Sequence, residues 1–274
     1  MTVRAILTMA QDLPRSDAEL LCAYSLDHDR TWLLAHPEAL VSPKQADHFL
    51  KLLERRQRHE PLAYLLGEKE FYGRTFIVNQ TVLIPRPSTE GLIDATLLFL
   101  EDGVERVTPI DTDISAVSVR VVDIRNVHTI VDVGTGSGCI AITLSLQRPE
   151  FHIIGTDISE RALELAQKNA QNLGAQDIDW KQGDGLSPLA DLREPFLVVS
   201  NPPYIPEAEV LMPDVQLHEP AVALRGSNDG LRVLQQVTAE AVHHPFCQGF
   251  VFECRSSQVQ EVTTIASRSD VAMV

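Results

Sequence analysis

The amino-acid sequence lacks several features that would indicate particular classes of protein. Its 274 residues contain no run of about 18 apolar residues, so no transmembrane helix is expected. The four cysteines form no Cys-x-x-Cys pair, which predicts reduced thiols rather than a disulfide framework, and the histidines lack zinc-like spacing. The N-terminal residues do not resemble a secretory signal. We therefore expect a cytoplasmic protein without a bound metal.

Basic residues are also scarce. Lys and Arg number 23 against 38 Asp and Glu, which gives a formal net charge of −15. Tight non-specific binding of nucleic acid depends on basic side chains that neutralise phosphates, so this charge argues against a nucleic-acid partner. The hydrophobic share of 44% and the length are those of a globular protein with one large domain, or with a main domain and a smaller one.

The first 67 residues carry the periodicity of short helices. Ser16 and Glu19 have the spacing of a capping box, which predicts that a helix begins there. Ser42-Pro43 predicts the start of another helix, because proline at the first helical position loses no hydrogen bond. Residues 1–67 are expected to form a small helical domain that recognises the substrate.

A connector is predicted at residues 68–91. Its pattern predicts a β-hairpin that turns near Gly73, a short strand over residues 82–84 and a helix that starts at Ser88.

Residues 92–274 alternate between strands and helices, which is typical of a mostly parallel sheet with helices on both faces. The fold class is therefore predicted as α/β, with a Rossmann-like domain. Strands are predicted at 129–133, 152–157, 178–182, 196–200 and 249–254. Helices are predicted at about 138–147, 159–173, 229–243 and 256–267. Residues 104–128 resemble an insertion, in which alternating valines (Val117, Val119, Val121) predict one strand.

The stretch Asn201-Pro202-Pro203-Tyr204 ends a buried apolar strand. Proline has no N–H and biases the preceding residue away from helix, so this corner is rigid and rich in hydrogen-bond acceptors. Open α/β sheets bind ligands at the carboxyl ends of their strands. The alternative is an ordinary turn at the end of a strand.

A glycine-rich turn, Gly134-Thr135-Gly136-Ser137-Gly138, follows an earlier strand and opens a helix. Glycine permits a sharp turn and lets a ligand approach the backbone. The spacing is Gly-x-Gly-x-Gly, shorter than the Gly-x-Gly-x-x-Gly of dinucleotide sites, and suits a ligand without phosphates.

Acidic residues end the next two strands. Asp157 can accept both hydroxyls of a ribose, or it can cap the helix that starts near Ser159. Asp184 and Gly185 can border an adenine ring, or they can form a tight turn.

This order of elements resembles the class I S-adenosylmethionine-dependent methyltransferases. Other segments are similar to one family in particular: Pro61–Gly67, Glu70–Gly73, Leu83–Glu90, Glu219–Leu224 and Asp229–Leu231. Over about residues 16–260 the chain resembles the HemK/PrmC family of peptide chain release factor glutamine methyltransferases.

The resemblance implies a monomer that methylates the glutamine of the Gly-Gly-Gln motif in a release factor, its protein partner. Asn201 Oδ1 and the Pro202 carbonyl would accept the two N–H bonds of the target amide, and Tyr204 would pack on its plane. Substrate binding would extend to Pro203 and Arg86. S-adenosylmethionine would contact Gly134, Thr135, Gly136, Ser137, Gly138, Asp157, Asp184, Gly185 and Asn201.

The chain departs from the family pattern in three places. Ser88 stands where the family usually has Glu, and Cys254-Arg255 replaces a more usual turn. The family also continues through a terminal hairpin, of which residues 270–274 would only start one strand. The expectation is an open edge beside the strand at 249–254, and reduced stability.

Two alternatives use the same acceptor corner. One is a methyltransferase acting on the amino groups of nucleic-acid bases, which would need a basic groove. The other is a cofactor-binding protein that has lost turnover.

Overall fold

The computed structural model describes residues 1–102, 116–121 and 126–268. They form two compact units. The first comprises Met1–Glu68 with Leu211–His218, and the second comprises the remaining described residues. The helices are α1 (Val3–Thr8), α2 (Arg15–Leu26), α3 (Arg30–Ala35), α4 (Pro43–Gln57), α5 (Leu62–Leu66), α6 (Pro87–Asp102), α7 (Cys139–Gln147), α8 (Glu160–Leu173), α9 (Pro213–His218), α10 (Ala221–Leu224), α11 (Arg232–His243) and α12 (Val259–Arg268). The strands are β1 (Glu68–Phe71), β2 (Arg74–Ile77), β3 (Ala116–Val121), β4 (Thr129–Val133), β5 (His152–Asp157), β6 (Ile178–Gln182), β7 (Phe196–Ser200) and β8 (Cys247–Cys254).

The first unit is built from α1–α5 and α9 around its own apolar core, which includes Val3, Ile6, Leu21, Leu33, Phe49 and Leu52. The predicted start of α4 is confirmed, with Ser42 and Gln45 forming a capping box. The capping box predicted at Ser16 is wrong. The N-cap of α2 is Pro14, two residues before Ser16. Glu19 is buried and forms ion pairs with two arginines instead.

The hairpin predicted in the connector is confirmed. Strands β1 and β2 are joined by Tyr72 and Gly73, which both have positive φ, as a type I′ hairpin turn requires. The strand predicted at 82–84 is wrong, because that segment is irregular. The Ile84 N–H donates to the Glu219 carboxylate at 3.3 Å, so a side chain takes the place of a strand partner.

The main sheet has the strand order β3-β8-β7-β4-β5-β6. Strands β4 to β8 are mutually parallel, and β3 pairs antiparallel with β8. The predicted Rossmann-like α/β fold class is confirmed. From β4 the chain moves outward through β5 and β6, then returns to the other side of β4 with β7, so the order reverses between β4 and β7.

Both faces of this sheet are covered by helices. Ile130 and Leu197 pack on one face with residues of α6 and α7, whereas their neighbours Val131 and Val198 pack on the other with residues of α11 and α12. Alternate residues of a strand point to opposite faces, so strands buried on both sides are continuous apolar runs. Within the described ranges, no helix has the length and apolar character needed to cross a membrane.

The edge beside β8 is not open, so that expectation is wrong. Strand β3 pairs with β8 from Ala116 opposite Cys254 to Val121 opposite Gly249. The supposed insertion thus supplies an antiparallel edge strand that covers β8, a strand far along the chain. The strand expected to start at residues 270–274 lies outside the described residues.

Candidate active site

A cavity of the second unit lies where the strand order reverses, at the carboxyl ends of β4–β7. Open α/β sheets bind their ligands at this position because the loops of adjacent strands diverge there. Its lining includes these predicted site residues: Gly134, Gly136, Asp157, Asp184, Gly185, Asn201, Pro202 and Pro203. Residues of α10 and α11 complete the wall, among them Val222, Arg232, Gln236 and Val237.

The glycine turn is fastened to the neighbouring strand by its backbone. The N–H groups of Gly134 and Thr135 both donate to the Thr156 carbonyl, at 2.9 and 2.8 Å. Gly134 has a φ of 74°, and a Cβ there would meet no atom within 4 Å, so this backbone faces open space. A Cβ at Gly138 would instead lie 2.8 Å from Ile142 and 3.2 Å from Trp180. Gly134 therefore borders the cavity, and Gly138 allows close packing behind it.

Asp132 is completely buried beneath the same turn. Its Oδ2 accepts hydrogen bonds from the Thr135 hydroxyl at 2.5 Å and from the Ala141 N–H at 3.1 Å. Burial raises the pKa of this carboxyl to about 7, against the lowering effect of those two bonds. The Thr135 side chain is thus directed towards the protein interior.

Asp157 holds the far side of the turn. Its carboxylate accepts the Gly136 N–H and the Ser159 N–H, both at 2.9 Å. Burial raises its pKa, opposed by these backbone bonds. Ser159, rather than Asp157, is the N-cap of α8, because its side chain accepts the Ala162 N–H. A carboxylate has about four acceptor positions, so Asp157 retains capacity for a ligand.

Asp184 and Gly185 border the cavity next to α11. A Cβ at Gly185 would lie 2.1 Å from Glu240 Oε2, so only glycine fits there without movement. Glu240 in turn accepts the Leu186 N–H at 2.7 Å. The turn after β6 is therefore fixed to α11 by one half-buried carboxylate contact.

The corner after β7 has two free acceptors. Asn201 Nδ2 donates to Thr89 Oγ1 at 2.9 Å, which leaves Oδ1 on the other side of the amide. Within residues 1–102, 116–121 and 126–268, no group donates a hydrogen bond to Asn201 Oδ1 or to the Pro202 carbonyl. The predicted acceptor corner therefore exists, and both residues line the cavity.

Tyr204 continues this corner but does not line the cavity. Its hydroxyl lies 3.5 Å from Glu253 Oε1, and its carbonyl accepts the side chain of Gln258 at 3.0 Å. Burial raises the pKa of the Tyr204 hydroxyl, as does the Glu253 charge beside it. The ring is thus held towards β8, and its role against a substrate amide stays a prediction.

Four other predicted site residues also lie outside the lining: Thr135, Ser137, Gly138 and Arg86. Ser137 is buried, and its carbonyl accepts the Asn169 side chain at 2.9 Å. Arg86 donates to the buried Glu219 carboxylate at 2.6 Å. The same carboxylate accepts the Ile84 N–H. Their proposed roles in cofactor or substrate binding stay predictions.

Two glycines far along the sequence complete the corner, and motif reasoning did not place them there. A Cβ at Gly226 would lie 2.6 Å from the Pro203 carbonyl oxygen, and one at Gly230 would lie 2.4 Å from that of Tyr204. The Ile205 N–H donates to the Leu224 carbonyl at 3.0 Å, which brings these segments together. The family-like segments Glu219–Leu224 and Asp229–Leu231 were the sequence signals for this contact.

Comparison with known families agrees with this geometry. The chain matches the PrmC N-terminal domain over residues 2–67 and the methyltransferase small domain over residues 102–216. The hMettl16 catalytic domain, crystallised with the MAT2A 3′UTR hairpin 6, superposes with a TM-score of 0.52 over 77% of this chain and 74% of that one. With 13% identity, this likeness shows the fold alone.

Sequence relatives are more specific. The release factor glutamine methyltransferase of Koribacter versatilis is 36% identical, over 84% of this chain and 75% of that protein. The release factor glutamine methyltransferase of Enterococcus faecalis is 41% identical, over 78% of this chain and 69% of that protein. That of Bordetella pertussis is 36% identical, over 88% and 81%. The chain belongs to the family of release factor glutamine methyltransferases.

Proposed function

We propose that this chain transfers the methyl group of S-adenosylmethionine to the side-chain amide nitrogen of the glutamine in the Gly-Gly-Gln motif of a peptide chain release factor. The proposal rests on two acceptors, Asn201 Oδ1 and the Pro202 carbonyl, at the cavity where the strand order reverses. Neither receives a hydrogen bond from the residues that the structure describes. A primary amide presents two N–H donors, and this pair matches them.

The residues present fit the cofactor. Open space beside Gly134 gives a ligand access to the backbone, and Asp157 retains acceptor capacity for ribose hydroxyls. Thr156 Oγ1, also in the cavity wall, is buried and has no hydrogen-bond partner among the described residues. An unsatisfied buried hydroxyl costs free energy, so a polar ligand there would be favoured. Asp184 and Gly185 would border the adenine.

The chemistry follows from the nature of an amide nitrogen. Its lone pair is delocalised into the carbonyl, so it is a weak nucleophile. Two fixed acceptors, Asn201 Oδ1 and the Pro202 carbonyl, would orient both N–H bonds and favour pyramidalisation, which directs the lone pair at the methyl group. The bound cofactor supplies an electrophilic methyl group on a sulfonium sulfur. The methylated amide is strongly acidic and loses its extra proton to water, so no strong base is required.

The proposed partner is therefore a protein, not a nucleic acid, and the enzyme would act as a monomer in the cytoplasm, where translation ends. The net charge of −15 supports this choice, because a nucleic-acid substrate requires basic side chains for its phosphates.

The direct test uses S-adenosylmethionine with a labelled methyl group, a purified release factor and its Gly-Gly-Ala variant. Label should enter the wild-type release factor only, and peptide mapping should locate it on the glutamine of the motif. A parallel incubation with DNA and RNA tests the alternative substrate. Label on nucleic acid but not on the release factor would refute the proposal, and no label on any substrate would favour a binding protein without turnover.

A further inference from the structure

A buried carboxylate lies behind the acceptor corner. Glu253, in β8, has a fully buried side chain, and its Oε1 accepts the Ser88 hydroxyl at 2.8 Å and faces the Tyr204 hydroxyl at 3.5 Å. Its second oxygen, Oε2, is buried and accepts no hydrogen bond of standard geometry from the described residues. Burial raises the Glu253 pKa, whereas the hydroxyls of Thr89, Ser88 and Tyr204 lower it.

The direction of hydrogen bonding around this carboxylate is fixed by its chemistry. A carboxylate only accepts hydrogen bonds, and a hydroxyl has a single hydrogen to donate. The buried Thr89 hydroxyl lowers the Glu253 pKa and so lies close to this carboxylate, towards which its hydrogen would point. Its oxygen then remains as an acceptor, and Asn201 Nδ2 donates to it at 2.9 Å.

This arrangement determines which end of the Asn201 amide faces the cavity. The two ends have nearly the same shape, but Nδ2 donates and Oδ1 accepts. We propose that Thr89, backed by Glu253, is a positioning residue that holds the Asn201 amide with Nδ2 inward, so that Oδ1 is presented to the substrate amide. The inference rests on the proposed function, because an inverted amide would set Nδ2 against the N–H donors of the substrate.

Ser88, one of the positions at which the chain departs from the family pattern, belongs to the same hydrogen-bonded group around Glu253. The resemblance implied a usual Glu at this position, whereas Ser88 here donates to Glu253. Ser88 thereby occupies Oε1, while Oε2 accepts no hydrogen bond from the described residues. Ser88 and Thr89 at the start of α6, together with Glu253 at the end of β8, thus act on the orientation of the Asn201 amide.

The test compares Thr89→Val with Thr89→Ser. Valine keeps the shape but removes the acceptor, so kcat should fall by about 10-fold or more, while KM for the release factor and affinity for S-adenosylmethionine stay within about twofold. Serine keeps the hydroxyl and should restore most of kcat. The matched control is Thr96→Val on the same helix, where the buried hydroxyl only donates to the Leu92 carbonyl, and its kcat should not change.

A second variant reverses the direction of hydrogen bonding without altering Thr89. In Glu253→Gln, the new NH₂ would donate to Thr89, whose hydrogen would then turn to Asn201 and invert the amide. Its kcat should fall in the same way as that of Thr89→Val. Wild-type kcat in both variants, while both remain folded by circular dichroism, would overturn the inference.

An activity-independent readout separates this inference from the proposed function. In protein labelled with ¹⁵N-asparagine, the Asn201 side-chain NH₂ signals are identified by their loss in Asn201→Asp. They should be protected from hydrogen exchange in the wild type and in Thr89→Ser, but not in Thr89→Val. Unchanged protection in Thr89→Val contradicts the inference. A wild-type protein that methylates no release factor refutes the proposed function, and the exchange measurement still decides the orientation.

Discussion

The two sides of the cavity are built in different ways. The glycine turn after β4 obtains its shape from nearby elements: its own positive φ angles, Asp132 beneath it and the adjacent end of β5. The corner after β7 depends on distant residues instead. Thr89 lies 112 residues before Asn201, and Gln258 lies 54 residues after Tyr204.

This difference shows which parts of the site a short sequence motif can predict and which parts depend on the folded chain. A local turn can be recognised from a short motif, because glycine permits backbone angles that other residues rarely adopt. The orientation of an amide side chain cannot be recognised from a short motif, because it depends on which hydrogen-bond partner the fold brings to it. Substitutions on the two sides should therefore impair different properties: turnover at the corner after β7, and cofactor affinity at the glycine turn.

The largest effect is expected at the corner itself. Asn201→Ala removes one of the two acceptors, so kcat should fall by about 100- to 1,000-fold, the range for loss of a preorganised hydrogen-bonding group. Affinity for S-adenosylmethionine, measured by calorimetry, should fall much less. A variant that loses cofactor binding and retains turnover at saturation would reverse this assignment of roles.

A remote substitution should damage the same corner. Gly230→Ala places a Cβ 2.4 Å from the Tyr204 carbonyl oxygen and carries the strain of a φ of 78°, so stability should fall by about 2–3 kcal/mol or more. Turnover should fall with it, because the corner is displaced.

Gly174→Ala is the matched control for Gly230. Its φ is 79°, but no atom lies within 4 Å of the added Cβ, so it should lose only about 1–2 kcal/mol and keep its turnover. Equal losses for the two variants in denaturant unfolding would show that backbone strain alone is responsible.

The glycine turn should fail by losing cofactor affinity. Gly134→Ala adds a methyl group in the open space beside the backbone, at a φ of 74°, so affinity for S-adenosylmethionine should fall by about tenfold or more. The matched control is Gly67→Ala, where φ is 76° and the surroundings are equally open. It should lose about 1–2 kcal/mol of stability and keep its affinity for S-adenosylmethionine. Equal cofactor affinity in the two variants would place the ligand away from Gly134.

The last prediction concerns how stability depends on pH, and no change of turnover is expected from it. The Asp132 pKa of about 7 lies above its ordinary value of 3.8, so the folded state binds an extra proton between these values. Its contribution to stability is complete below pH 3.8, declines as the pH rises, and is lost once the pH passes 7. Asp132→Asn should therefore flatten the decline in unfolding free energy between about pH 4 and 7, by at most about 1.4 kcal/mol per pH unit. Asp177→Asn matches the change of charge at an exposed position. Identical slopes in wild type and Asp132→Asn would contradict the prediction.

Much of the sheet could be predicted from the sequence. The strands at 129–133, 152–157, 178–182 and 196–200 have the predicted bounds. The strands at 129–133 and 196–200 are buried on both faces, so they are apolar runs that end at turn residues. The capping box at Ser16 and the strand at 82–84 were wrong for a common reason. In each case a partner from another segment overrode a local pattern: Arg30 of α3 for Glu19, and Glu219 for the Ile84 N–H.

By itself the sequence determined the fold class, the glycine turn, Asp157 at the end of β5 and the acceptor corner, since each is a short motif at the end of an apolar strand. Only the tertiary structure decided that β3 covers the edge of β8, that residues 211–218 pack with the first unit, and that Thr89 and Glu253 lie behind Asn201. The physical reason is range: backbone preferences act over a few residues, whereas strand pairing and side-chain hydrogen bonds join residues that only the folded chain brings together.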